Sequence, residues 1–123
     1  MKAFLDTSVL IAVFYANHQF HRPSIDLFLR FKKNQACCGS HSLAEVYSSV
    51  TGRTGRDRVG GHEALLFLEN VQERLTIVSL NDKEYFQTLK SFSALGISGG
   101  AIYDALLGQC DAQVQGADHL HLE

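Results

Sequence analysis

Apolar and polar positions run in blocks along this chain, and each change of period marks an element. Lys2-Ala3-Phe4-Leu5-Asp6 is a short apolar run that ends in an acid, followed at once by Thr7-Ser8 and mixed apolar residues to Ala16, the pattern of a strand leading into a helix. A polar break from His18 to Arg22 precedes a second helix, with Pro23 acceptable in its first turn. On that helix Ile25, Phe28, Leu29 and Lys32 share one face at three-to-four spacing, and Arg30, Lys32 and Lys33 make its end basic. Ala36-Cys37-Cys38-Gly39 reads as a second strand, and Ser40 to Ser42 offer caps for a helix carrying Leu43, Val46, Tyr47 and Val50. Thr51 to Gly61 holds four glycines and three arginines and predicts a mobile loop. Ala64 to Val71 predicts a helix, Leu75 to Ser79 a strand, and Asn81 or Asp82 the cap of a helix bearing Tyr85, Phe86, Leu89 and Phe92. Gly96 to Gly100 breaks the pattern, Ala101 to Val114 resumes as helix, and His119 to Leu122 has strand character.

Strands separated by helices call for crossover connections, and so for an α/β fold with a central parallel sheet covered on both faces. Ligands of such sheets gather at the carboxyl ends of the strands. A length of 123 residues suits a single domain spanning 1–123, and 46% hydrophobic with 20% charged residues is the mixture of an ordinary globular chain. The apolar run Val9 to Phe14 is far too short to span a bilayer and has no small-residue cleavage site after it, so no membrane role and a cytoplasmic location are expected. Cys37 and Cys38 are neighbours in a buried strand and Cys110 stands alone in a later helix, which favours reduced structural thiols. A net charge of -2 does not argue against a nucleic-acid partner, because a cation-binding site contributes acids of its own to the total.

Asp6 closes the first strand, where its carboxylate faces the ligand crevice; the bland reading is that it caps the helix beginning near Ser8, and the two are compatible. Glu45 lies early in the helix after the second strand, near the same crevice, although a glutamate there is often only a solvated partner of the helix dipole. Asp104 sits inside Ala101-Ile102-Tyr103-Asp104-Ala105-Leu106-Leu107, where burying an unpaired charge is costly; otherwise it is a helix surface residue among core residues. Together Asp6, Glu45 and Asp104 fit an oxygen-only site for a hard divalent ion, Mg²⁺ or Mn²⁺. Phosphodiester hydrolysis needs such ions, which acidify water, orient the scissile phosphate and neutralise charge on its oxygens.

The segments Phe4-Leu5-Asp6-Thr7-Ser8, Ser42-Leu43-Ala44-Glu45-Val46-Tyr47, Gly96-Ile97-Ser98-Gly99-Gly100 and Ile102-Tyr103-Asp104-Ala105-Leu106 resemble, in this order and spacing, the signature segments of VapC-type PIN domains. The resemblance implies a three-layer α/β/α sandwich, a metal-dependent endoribonuclease acting on RNA as the toxin of a toxin-antitoxin pair, inhibition by a cognate antitoxin, and a homodimer. By position it makes Asp6, Glu45 and Asp104 catalytic metal-site acids, oriented by Thr7 or Ser8. Family members continue past Gly-Ala-Asp, here Gly116-Ala117-Asp118, through a strand to a further acid. With the last residue at Glu123, a shortened C-terminal end is expected, and Asp118 and Glu123 are the remaining candidates for a fourth acid.

Arg53, Arg56 and Arg58 in the glycine-rich loop are candidates to clamp RNA phosphates, against the reading of a solvated linker. His18 with His21, and His119 with His121, have spacings compatible with a shared metal, but surface roles suit them better. The alternative to an enzyme is a catalytically weakened or inactive module of the same fold that binds RNA or an antitoxin. A phosphatase with an aspartyl nucleophile also places an acid at Asp6, but expects a second acid two residues on, where Ser8 stands.

Overall fold

The computed structural model describes residues 3–99 and, in backbone, 118–120. Its elements in chain order are β1 (Ala3–Leu5), α1 (Thr7–Phe14), α2 (His21–Arg30), β2 (Ala36–Gly39), α3 (Ser40–Thr51), α4 (Gly61–Arg74), β3 (Thr76–Val78), α5 (Asp82–Ala94) and β4 (Asp118–Leu120). The helix expected over 101–114 lies outside the described residues, as does Cys110.

Ala3, Phe4 and Leu5 are all buried, because β1 is covered on both faces. Its neighbours are β2 on one side and β4 on the other, both parallel, and the sheet order is β3-β2-β1-β4. The register pairs Ala3 with Ala36 and with Asp118, and Leu5 with Leu120. Side chains alternate across the sheet. Ala3, Leu5, Ala36 and Cys38 join one core with Val9, Leu10 and Val13 of α1, Phe28 of α2, Val46 and Val50 of α3, and Ala64, Leu68 and Val71 of α4. Phe4 and Cys37 point the other way and pack with Leu80, against which Val78 of β3 and Tyr85 of α5 lie. This is the expected sandwich: helices α1 to α4 on one face, α5 on the other.

The chain runs β1 to β2 to β3 in one direction and then returns to place β4 on the far side of β1. In open parallel sheets that reversal opens a crevice at the carboxyl end of the central strand. Here that end is Leu5, followed by Asp6.

Several boundaries differ from the sequence reading for local reasons. α2 ends at Arg30 because Phe31 turns extended, so Lys32 is off the helix and its apolar face consists of Ile25, Phe28 and Leu29. Of the two proposed caps for α5, Asn81 is used: its side chain accepts from Glu84 N–H at 2.8 Å while Glu84 Oε1 accepts from Asn81 N–H at 2.9 Å. The segment 52–60 is tied down at several points. Gly55, with φ 68°, opens a 3-10 turn to Asp57, a backbone sign that favours glycine. Val59 N–H donates to Val50 O at 3.2 Å, and Tyr15 Oη donates to Asp57 O at 2.6 Å. The Arg53 guanidinium stacks 4.4 Å from the centre of the Tyr15 ring. Cys37 and Cys38 are buried and reduced, as expected. Among the described residues no helix is long and apolar enough to cross a membrane.

The core assignments are testable by contrast. Leu10 is fully buried and Leu66 is 53% exposed. Leu10→Ala should lower the unfolding free energy by about 2–5 kcal/mol, and Leu66→Ala should change it by no more than about 0.5 kcal/mol, in urea titrations followed by circular dichroism.

Burial pushes the Tyr15 phenol above its ordinary range; Asp57 and Glu63 push the same way, and the facing Arg53 only partly offsets them. A phenol harder to ionise when folded adds stability that is complete below the unfolded pKa of about 10 and is lost as pH rises through the folded value. Unfolding free energy measured across that range should therefore fall more steeply in the parent than in Tyr15→Phe.

Candidate functional site

Asp6 is the first residue beyond the ladder of β1, and its extended backbone (φ -86°, ψ 175°) makes it the N-cap of α1. Its Oδ1 accepts from Val9 N–H at 3.1 Å and from Ser8 Oγ at 2.7 Å. The carboxylate is only 5% exposed, so its charge is held by these donors and by the positive end of the α1 dipole. Ser8 therefore orients Asp6 directly. The cap reading is correct, and it occupies Oδ1.

Thr7, the first residue of α1, works in a different direction. Its Oγ1 stands 2.9 Å from Ser42 Oγ and 3.2 Å from Glu45 Oε1, both on α3. Ionised Glu45 only accepts, and a threonine hydroxyl carries a single proton. The arrangement that satisfies every group has Thr7 donating to Glu45 while Ser42 donates to Thr7. This draws Glu45 to the residue next to Asp6, from a position 39 residues away in the chain.

Ser42 is a site residue that the sequence reading took for a cap. Gly39 holds the N-cap position of α3 and no side chain caps that helix. Ser42 is fully buried and turned to Thr7 instead. Its signal was the spacing Ser42-x-x-Glu45, which puts both side chains on one helix face. His41 was also passed over; its Nε2 lies 3.7 Å from Glu45 Oε1.

Asp104, Glu123 and His121 lie outside the described residues, and His119 is described only in backbone. Asp118 opens β4 opposite Ala3, about 10 Å short of the level of Asp6 at a rise of about 3.3 Å per residue. That register puts it at the wrong end of the strand for a fourth acid. His18 and His21 are engaged locally: His18 Nδ1 accepts from Phe20 N–H at 3.0 Å, and His21 Nδ1 bonds Ala12 O at 2.8 Å. Arg53 is half-buried against Tyr15, whereas Arg56 and Arg58 are exposed. Arg58 lines a cleft of about 460 Å³ with Tyr47, Thr51, Gly55 and Val59 to Gly61. Among the described residues no three His, Cys, Asp or Glu side chains come together as a metal site.

The sequence profile of the PIN domain matches residues 3–118. The chain belongs to the PIN domain family. It is 33% identical over 111 residues to Ribonuclease VapC27 of Mycobacterium tuberculosis, a match covering 89% of this chain and 76% of that protein. In fold it is similar to a chain in the crystal structure of VapBC2 from Rickettsia felis bound to a DNA fragment from its promoter, with a TM-score of 0.61 over 100% of this chain and 89% of that one, at 17% identity.

Carboxylate oxygens such as those of Asp6 and Glu45 suit hard divalent ions rather than softer metals. Thr7 Oγ1 and His41 Nε2 both face Oε1 of Glu45, and its second oxygen has no polar contact among the described residues. The double duty of Asp6 gives a stability test. Asn keeps an oxygen acceptor for Val9 N–H, whereas Ala removes the Oδ1 acceptor from that amide and from the Ser8 hydroxyl. Asp6→Ala should lose about 1–2 kcal/mol in urea unfolding, while Asp6→Asn, freed of a buried charge, should match or exceed the parent.

Proposed function

We propose that this PIN domain is a divalent-metal-dependent endoribonuclease and the toxin of a toxin-antitoxin pair, with Asp6, Glu45 and Asp104 as its metal-holding acids. The observation that supports the proposal is the bond from Thr7 to Glu45, which ties an acid of α3 to the residue that follows Asp6 at the carboxyl end of β1. Similarity to a protein named as a ribonuclease supports the activity, and similarity in fold to a VapBC2 chain supports an antitoxin protein as partner.

Two carboxylates drawn to one crevice repel unless a cation stands between them, and oxygen donors select a hard one. Mg²⁺ or Mn²⁺ bound there would supply an acidified water and neutralise charge on the scissile phosphate. The chain's part is to aim the acids. Ser8 and Val9 N–H fix Asp6, Thr7 and Ser42 fix Glu45, and Asp104 completes the set. Exposed Arg56 and Arg58 suit RNA phosphates, while Arg53 is held by Tyr15 and contributes through the loop it stabilises. The reading extends to a single domain, a homodimer and a cytoplasmic location.

RNA cleavage by the purified chain should stop with EDTA and return with Mg²⁺ or Mn²⁺. Asp6→Asn, Glu45→Gln and Asp104→Asn should each lower the rate by about 10²-fold or more while the protein still folds. Parent-like cleavage by the Asp6 and Asp104 variants would show the assignment to be wrong. Tight RNA binding without turnover in either metal would instead select the non-catalytic module.

A further inference from the structure

His41 has a place in this site that its sequence neighbourhood does not announce. The imidazole is 21% exposed, yet Nε2 itself is buried and makes no hydrogen bond among the described residues. It faces Glu45 Oε1 across 3.7 Å, too far for a hydrogen bond and near enough to form one after a small rotation of the glutamate, which is 45% exposed. The same oxygen receives Thr7 from the other side at 3.2 Å.

Gly39 explains how the ring comes to be there. Its φ of -76° is open to any residue, so glycine is not demanded by the backbone. What the missing side chain provides is room for the ring: a Cβ at position 39 would stand 2.5 Å from His41 Cε1 and 2.8 Å from Nδ1, and the imidazole would have to move aside. The imidazole thus lies over the bare Cα at the carboxyl end of β2, the same edge of the sheet where Asp6 follows β1. Without that seat, His41 would swing away from Glu45.

We infer that His41, seated on Gly39, is a positioning residue for Glu45, bracing Oε1 against Thr7 so that the other carboxylate oxygen stays directed at the cation. This rests on the reading of Asp6 and Glu45 as metal-holding acids. Outer partners that orient a metal ligand are worth about 10–100-fold in affinity. His41→Ala and Gly39→Ala should each weaken binding by roughly the lower end of that range. The double variant should be no weaker than His41→Ala, since Gly39 acts only through the ring. His41→Gln places an amide N–H at similar reach and should recover most of the loss.

The test is calorimetric titration of Mn²⁺ into the full chain, with thermal melting of each variant as a check on folding. The expected result is the order parent, then His41→Gln, then His41→Ala and Gly39→Ala alike, then Glu45→Gln. If Glu45→Gln weakens Mn²⁺ binding but His41→Ala and Gly39→Ala bind as the parent does, the role of His41 is refuted while the acidic site stands. Equal losses in His41→Gln and His41→Ala would reduce His41 to packing and also refute the inference. Parent-like binding by both Asp6→Asn and Glu45→Gln would remove the acidic site itself, and His41's role with it.

Discussion

Asp6 Oδ1 receives the Val9 amide and the Ser8 hydroxyl together, and the rest of the candidate site is arranged around that pair of bonds. The helix needs an acceptor at this point because its first amides have no partner within the helix. On the proposed reading of Asp6 as a metal-holding acid, the crevice that opens where β1 ends needs a carboxylate at the same point. A single residue meets both needs only because no linker separates β1 from α1, so the strand's last side chain is also the helix's cap. The cost of enclosing that charge is offset by donors that belong to the helix it starts.

The second constraint joins α1 to α3. Thr7 and Ser42 form a hydroxyl pair across the helix contact, and Glu45 hangs from it one turn further along α3. Because Ser42 is buried and Glu45 is not, the pair acts as a fixed root for a carboxylate that reaches outward. The core below holds the two helices at this spacing, through Val9, Leu10 and Val13 on one and Val46 and Val50 on the other. The position of the acid is therefore a product of apolar packing, transmitted through a short polar bridge.

Away from the crevice, the glycine-rich segment shows how composition can mislead. Its four glycines and three arginines suggest a free loop, yet Tyr15 holds Asp57 by a hydrogen bond and Arg53 by its ring. A buried phenol whose ionisation is suppressed keeps that anchor neutral and donating. One of the three arginines is spent on structure, and the cleft beside Tyr47 is framed by another.

The sequence by itself determined the order of the described elements, the parallel sheet, the placement of Asp6 at a strand end and the family. Those follow from local periodicity and from four short segments that resemble the signature of the family. It did not determine that Lys32 lies beyond α2, that Gly39 rather than a serine caps α3, or that Asp118 enters β4 at the end remote from Asp6. Each of these depends on where a neighbouring element stops, which a one-dimensional pattern records only loosely. Least legible were Ser42, His41 and Gly39, because a hydroxyl turned inward and a ring resting on a bare Cα are facts about what lies across the gap. Tertiary structure alone decided them, since only packing of α1 against α3 brings Thr7 within bonding distance of residues encoded more than thirty positions later.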